Sequence, residues 1–499
     1  MKAFSSIKDH TMNQAIRATA CVAAIIVAPI TALSEPTFTD SCETLDGWSV
    51  HPSAGVTAQL RLDAGADGKS LRLDFDFTKG SGFVVLRRDL SIELPENYRF
   101  RYELRGSAPP NNLEFKLVSE SGEDVWWVNR RAFHFPREWR AQFHKRRHFT
   151  FAWGPSGGKP LKRIGAIEFA VAAAEGGRGT IWIDNLAFEP LPVPQPVIHD
   201  PRVHVSSVDQ TSDPALRADD AYELPASGEI TWHSARDDDD PTLTLDFQQV
   251  REFGGLVIDW DPTDFATDYI VETSVDGDVW RTDASITCGG GGRDWVPMRD
   301  AQAAFVRVRI NRTSRGRGVG LKRLSVLDVS FADSPNAMYS TIARESPRGW
   351  FPRTLLGEAQ PWTVVGADRD ADEALIDAAG AVEVDRGNIR IEPFLFVGGR
   401  LRTWADARCE ASLADDGLPL PFVTWRCDDL RLTVEALADD RTGGAVLLTR
   451  YTVTNARDTA ARGSLLITLR PFQVLPPWQD LSITGGVCDV SEIRRQNHG

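Results

Sequence analysis

The stretch that decides the fold lies between Asp268 and Ile310. It reads Tyr269-Ile270-Val271-Glu272-Thr273-Ser274-Val275-Asp276-Gly277-Asp278-Val279-Trp280 and, after a Gly-rich loop, Phe305-Val306-Arg307-Val308-Arg309-Ile310. Apolar and polar residues alternate with period two in both runs, the pattern of strands that lay one face on a core. Asp276-Gly277 stands between Val275 and Val279, where a tight turn with positive φ favours glycine. Upstream, Thr231-Trp232-His233-Ser234, Pro241-Thr242-Leu243-Thr244-Leu245-Asp246-Phe247 and Leu256-Val257-Ile258 precede it in order.

Taken together, these segments resemble the discoidin, or coagulation-factor type C, family of β-sandwich binding modules, here over 206–332. The resemblance implies a module that holds ligands, commonly glycans, in loops at one end of the sandwich. It also implies ligand contacts at His233 and Arg236, in the loop after Trp232, with Trp232 itself in the core. Asp237 to Asp240 in the same loop could bind Ca²⁺ or form a solvated acidic turn.

With 499 residues the chain has room for about three ordinary domains. Its 15 Trp beside 4 Met suit β-sandwich cores and aromatic binding faces better than helical bundles. A net charge of -14 argues against the whole chain being a nucleic-acid binder. Lys2, Lys8 and Arg17 precede an apolar run from Ala18 to Ala32, and Ala32-Leu33-Ser34 offers a small-residue cleavage site. Residues 1–34 therefore read as a secretory signal peptide, and the protein as secreted or periplasmic. Cys21 invites a lipoprotein reading, although the apolar run continues past it. No later segment has the roughly 18 consecutive apolar residues of a transmembrane helix. Cys42, Cys288, Cys409, Cys427 and Cys488 follow no disulfide or metal spacing, but Cys409 and Cys427 could face each other across a hairpin or remain free thiols.

The fold class expected is all-β: consecutive β-sandwiches followed by a third β-rich sandwich. The first, 37–190, has alternating strands at Ser70–Phe77, Tyr98–Leu104 and Leu113–Val118. Its opening Phe38-Thr39-Asp40 with Leu45-Asp46-Gly47-Trp48, and its close Gly179-Thr180-Ile181-Trp182-Ile183-Asp184-Asn185-Leu186, look like a galactose-binding-type jelly roll, a form shared by many carbohydrate-binding modules. A stiff linker, 191–205, contains Leu191-Pro192-Val193-Pro194-Gln195-Pro196. The third segment, 336–485, holds one helical candidate, Asp372 to Ala379, with Asp370 as N-cap and Gly380 as stop, and a tail follows at 486–499. Thr403-Trp404-Ala405-Asp406, Pro421-Phe422-Val423-Thr424-Trp425-Arg426, Arg450-Tyr451-Thr452-Val453-Thr454-Asn455 and Leu469-Arg470-Pro471-Phe472-Gln473-Val474 make this segment similar to the N-terminal β-sandwich of (α/α)-barrel glycoside hydrolases and phosphorylases. That resemblance implies the front part of an enzyme whose catalytic barrel is absent from this chain.

Ligand candidates in the first sandwich are Trp126, Trp127, Arg130 and Trp153. Sugars stack their C–H faces on indoles, and adjacent strand residues point to opposite faces, so at most one of Trp126 and Trp127 serves a binding surface while the other is core. Arg137-Glu138-Trp139-Arg140 through Lys145-Arg146-Arg147-His148 is a basic cluster that could hold an acidic polysaccharide, or form a solvated edge strand. Asp40 and Asp184 could share a structural Ca²⁺. No metal-spaced His pair, nucleophile elbow or phosphate loop is present, and no pair of carboxylates is singled out for glycoside chemistry. The expected function is a non-catalytic carbohydrate-binding protein with a polysaccharide or glycan partner. The alternative is a catalytically incomplete part of a glycoside hydrolase or phosphorylase.

Overall fold

The computed structural model describes residues 36–490 apart from 195, 198, 219, 368–372, 386, 415–419, 440–444, 480–483 and 489. The leader read at 1–34 and most of the tail lie outside the described residues. The chain is all-β, in antiparallel sheets around three main hydrophobic cores.

The first core lies between two sheets built from β1 (Phe38–Asp40), β2 (Trp48–Pro52), β3 (Thr57–Ala64), β4 (Lys69–Asp76), β5 (Phe83–Glu93), β6 (Tyr98–Ser107), β7 (Asn111–Ser119), β8 (Val125–Phe133), β9 (Arg140–Lys145), β10 (Thr150–Trp153), β11 (Arg163–Ala172) and β12 (Arg178–Pro190). One sheet runs β3-β4-β12-β6-β9, with β1 beside β12; the other runs β10-β8-β7-β11-β5-β2. Alternation decides the faces: Leu71, Leu73 and Phe75 of β4 are buried, while Arg72, Asp74 and Asp76 point outward. Phe100, Phe115, Phe169 and Phe188 fill the centre, with ring centroids 5.3 Å apart for Phe100–Phe115 and 4.8 Å for Phe115–Phe169.

The second core belongs to β13 (Arg202–Val205), β14 (Tyr222–Glu223), β15 (Glu229–His233), β16 (Thr242–Trp260), β17 (Ala266–Ser274), β18 (Arg281–Ile286), β19 (Arg293–Thr313) and β20 (Gly320–Leu327). The two runs that open the sequence reading become β17 and part of β19, paired from Ala266↔Thr313 to Ser274↔Phe305. The turn after β17 has Gly277 at φ 84°, and the Asp276 carboxylate accepts the N–H groups of Asp278 and Val279 at 2.9 Å. Trp232 is fully buried and donates its indole N–H to the Ser207 carbonyl at 2.8 Å.

The third core lies between the sheet of β21 (Trp362–Gly366), β22 (Glu373–Asp377), β23 (Val382–Glu383), β24 (Arg390–Val397) and β25 (Arg400–Arg402), and that of β26 (Arg408–Leu413), β27 (Pro421–Cys427), β28 (Leu430–Asp439) and β29 (Val446–Asn455). A last strand, β30 (Gly463–Arg470), pairs with β24. The helix expected over Asp372 to Ala379 is corrected: 373–377 is β22, paired residue by residue with β21, and Gly380 (φ 80°) turns the chain toward β23. Helical propensity in Ala and Leu yields here to tertiary pairing. Asp370, the expected cap, lies outside the described residues. The helix that does form, α1 (Pro335–Glu345), begins where Ser334 accepts the Ala337 N–H and Pro335 takes the first turn. Cys409 faces Trp425, and Cys427 pairs with Leu430, so the two thiols are not cross-strand partners and both are free. Burial pushes the Cys409 thiol up to about 11.

Candidate functional site

The outward face of the sheet β10-β8-β7-β11-β5-β2 carries the most organised polar and aromatic surface. Register sets one row across it: Ser49, Arg87, Glu168, Lys116, Trp127 and Thr150. The next row runs His51, Val85, Ala170, Glu114 and Asn129. Glu114 and Lys116 are only 8% and 7% exposed although they point away from the core, and they form an ion pair at 2.9 Å. Arg87 pairs with Glu168 at 2.7 Å. Asn129 has a buried side-chain oxygen with no hydrogen-bond partner among the described residues, a state that costs free energy unless a further group arrives.

Two indoles border this polar grid. Trp127 and Trp153 meet nearly perpendicularly, at 5.5 Å and 85°, and the Lys116 ammonium lies 5.4 Å from the Trp153 ring centre. Trp153 is 47% exposed, brought onto this face by a register shift between Phe151 and Trp153. The face therefore offers flat apolar rings beside fixed donors and acceptors, an arrangement that binds a polar ligand with one apolar face.

The other residues singled out in the first sandwich lie elsewhere. Trp126, paired with Leu117, packs against the core, and its indole nitrogen is buried without a partner. Arg130, opposite the core residue Leu113, donates to the Gln142 side chain of β9 at 2.7 Å and so bridges the two sheets. It does not join Trp127 and Trp153. Asp40 accepts the Cys42 N–H at 2.8 Å and the Trp48 indole N–H at 2.9 Å, and pairs with Arg88 at 2.8 Å. Asp184, fully buried, accepts the N–H groups of Ala66 at 2.8 Å and Asn185 at 2.7 Å. Burial raises its carboxyl despite these bonds. Both carboxylates thus already accept hydrogen bonds, and among the described residues no group of three or more His, Cys, Asp or Glu is placed to hold a metal.

In the second sandwich, His233 is half-buried, with Nε2 3.7 Å from the Asp261 carboxylate and a buried Nδ1 that has no partner. Arg236 is exposed nearby. Gly320 makes room for the imidazole, since a Cβ there would meet the His233 ring at 2.5 Å. Burial opposes ionisation of Asp261, yet the Thr263 and Asp264 N–H groups and Lys322 hold its carboxyl well below the usual range. In the acidic loop, Asp238 accepts the hydroxyls of Ser206 (2.6 Å) and Ser207 (2.5 Å), and Asp240 pairs with Arg309 at 2.8 Å.

Lys145, Arg147 and His148, at the end of that basic cluster, form a junction between the first two sandwiches. Lys145 pairs with Glu252, Arg147 reaches Glu252 at 2.9 Å and also Asp300, and His148 lies 3.1 Å from Asp300. Burial works against Asp300, but the His148 hydrogen bond and the charges of His148, Arg147 and Lys145 bring its carboxyl down to about 2. The sequence reading missed Glu114, Lys116 and Asn129. For Glu114 and Lys116 the signal was the polar half of the alternation in Leu113–Val118, which says that they point outward but not which indoles they meet.

Residues 203–323 match the family model of the F5/8 type C domain. No curated protein matches the chain. Among solved structures, the chain is similar to a family 11 carbohydrate-binding module from Clostridium thermocellum in complex with a β-1,3-1,4-mixed-linked tetrasaccharide, at 16% identity, over 33% of this chain and 100% of that one, with a TM-score of 0.28. It is also similar to chitosan-binding module 2 of a chitosanase/glucanase from Paenibacillus sp. IK-5, in complex with chitotriose, at 19% identity, over 26% of this chain and 99% of that one, with a TM-score of 0.23.

Proposed function

We propose that the chain is a secreted, non-catalytic carbohydrate-binding protein whose principal contact face is the outward surface of β10-β8-β7-β11-β5-β2. The observation that carries this reading is the conjunction, on one face, of the perpendicular Trp127–Trp153 pair with the sunken Lys116–Glu114 pair and the unpartnered Asn129 oxygen. A pyranose packs its C–H face on an indole while its hydroxyls exchange hydrogen bonds with fixed polar groups. His233 and Arg236 in the discoidin-like stretch supply a second contact for the same class of ligand. Export rests on the leader read at 1–34, and N-terminal sequencing of protein recovered outside the cytoplasm tests it.

The deciding experiment is glycan-array binding by the full chain and its Trp127→Ala variant, with and without EDTA. Binding by the native chain that weakens in the variant and is indifferent to EDTA is expected. Equal binding by both proteins removes the sheet face as the site; binding abolished by EDTA restores a structural cation to the account.

A second reading, in which these modules serve a glycoside hydrolase or phosphorylase, has one observation in its support. Ile467 and Leu469 of β30, and Val446 and Leu448 of β29, stand exposed as same-face pairs of apolar residues that a further domain would cover. Release of reducing ends or sugar phosphates from a bound polysaccharide is the measurement that would establish it.

A further inference from the structure

The opposite sheet of the first sandwich carries a second, chemically different surface. On its outward face Arg72, Trp182 and Arg105 stand side by side in register on β4, β12 and β6, and Trp139, just before β9, lies beyond Arg105. The Arg105 guanidinium is 4.3 Å from the centre of the Trp182 ring and 5.0 Å from that of Trp139. Arg72 is 5.3 Å from the other side of this ladder, at Trp182.

The two arginines differ in how their charge is met. Arg72 is neutralised by Asp63 at 2.9 Å and Asp74 at 3.0 Å. Arg105 has no acidic partner among the described residues, and its Nε is buried with no hydrogen-bond acceptor. In a chain with 70 acidic and 56 basic residues, a guanidinium held between two indoles and left without a carboxylate partner among the described residues has N–H donors free for an incoming anion. Two residues further along the same face, Ser107 accepts a hydrogen bond from Arg137 at 2.7 Å, the only partner of Arg137 among the described residues. There a cavity of about 450 Å³ opens, lined by Ser107, Pro109, His134, Phe135, Arg137 and Arg178 and by no carboxylate. Arg178 is paired with Asp76 at 2.8 Å. Glu103, two residues from Arg105 in the other direction, limits the basic surface on that side.

The geometry points to a second glycan site on this face, for a uronate-bearing polysaccharide: the sugar carboxylate meets the fork of Arg105, and the neighbouring residue of the polymer enters the cavity beside Arg137. A planar carboxylate takes two parallel N–H···O bonds from a guanidinium, a geometry an ammonium cannot reproduce. The indoles hold the guanidinium plane and offer apolar area to the sugar ring. The inference does not depend on the Trp127 face, which belongs to the other sheet.

The test is titration calorimetry of the full chain with an oligogalacturonate and with an uncharged gluco-oligosaccharide of equal length. Arg105→Lys, Arg105→Gln, Arg137→Gln and Trp127→Ala variants are compared, each with a circular-dichroism control. Oligogalacturonate is expected to bind the native chain and to weaken with added salt. Its affinity should fall about tenfold or more in Arg105→Gln, since charge-assisted hydrogen bonds contribute roughly that much. It should fall measurably in Arg105→Lys, which keeps the charge and loses the fork, and in Arg137→Gln, and persist in Trp127→Ala. Undiminished binding in both Arg105 variants overturns the site. Failure of the native chain to bind oligogalacturonate, or binding of sulfated polymer alone, overturns the ligand class. Loss in Trp127→Ala with retention in Arg105→Gln assigns the uronate to the other face and overturns the proposal while leaving the proposed function standing.

Discussion

Replacing Glu252 by Gln is expected to loosen the junction between the first two sandwiches by about 2 kcal/mol. The Lys145 side chain is 7% exposed and its partner Glu252 18%, so the pair lies between a surface ion pair and a buried one. Surface pairs contribute about 0–1 kcal/mol and removing one partner of a buried pair costs about 3–5 kcal/mol. Gln keeps an acceptor for Lys145 and Arg147 but removes the charge that both cations share, which places the loss near the middle of that range. At about 1.4 kcal/mol per tenfold, the open population rises roughly 30-fold. Hydrogen exchange reads this directly, because protected amides exchange through local opening. Peptides covering 140–150 and 299–303 should exchange roughly 30-fold faster in the variant, while a peptide from the first core, such as 71–77, keeps its native rate. Junction peptides that stay within about threefold of the native rate would refute the assignment of these ions to docking. Acceleration spread evenly over the first core would instead mean that Glu252 stabilises the whole sandwich.

The same junction is expected to depend on pH through Asp300, whose carboxyl sits at about 2 in the folded chain. A depressed carboxylate contributes its full stabilisation above the unfolded value near 4 and loses it as the pH falls toward 2. Junction exchange should therefore be flat from pH 7 to about 4, after correction for intrinsic rates, and accelerate below it; acceleration that begins well above pH 4 would remove Asp300 as its cause. Asp377→Ala should destabilise the third core by about 3 kcal/mol, because it leaves the buried Arg390 with Glu392 as its only carboxylate partner among the described residues. Denaturant melting followed by Trp425 fluorescence checks this, and an unchanged midpoint would contradict it. Gly320→Ala should leave the second sandwich folded but push the His233 ring aside, weakening ligand binding by that sandwich several-fold; native affinity in this variant would remove His233 from the contact.

Much of the fold was legible because period-two alternation is a local signal. Leu71, Leu73 and Phe75, or Val306, Val308 and Ile310, could be sent inward from the sequence alone, and the structure buries all six. Parity could also have corrected one ligand candidate. Arg130 is three residues from Trp127 on one strand and so points to the other face, where it bridges to Gln142. What the sequence lacked was register. Lys116 meets Trp127, and Glu168 meets Lys116, only because β7 lies between β8 and β11 in one alignment. The basic run Lys145-Arg146-Arg147-His148 was visible as charge, but its opposing Glu252 and Asp300 come from a different sandwich, and long-range pairing leaves no local trace. At 372–379 a local signal was read and overruled, since Ala374 and Ile376 gain more from the third core, and Leu375 from its cluster with Val474 and Leu475, than from helical propensity.

The ionic junction also bears on how the protein would grip a polymer. Two binding modules on a slack tether sample many separations, and the second contact forms with an effective concentration diluted by that freedom. Here the Lys145–Glu252–Arg147–Asp300 contacts hold the spacing between the Trp127 face and the His233 loop near one value. If both surfaces contact one polymer, as proposed, such a molecule would measure length: a chain whose recognisable sugars recur at that interval would engage both sites at little further entropic cost, and one with another repeat would engage a single site. Selectivity among polysaccharides would then reside in the interval between epitopes as much as in either epitope, and raised salt would broaden it before it weakened either site alone.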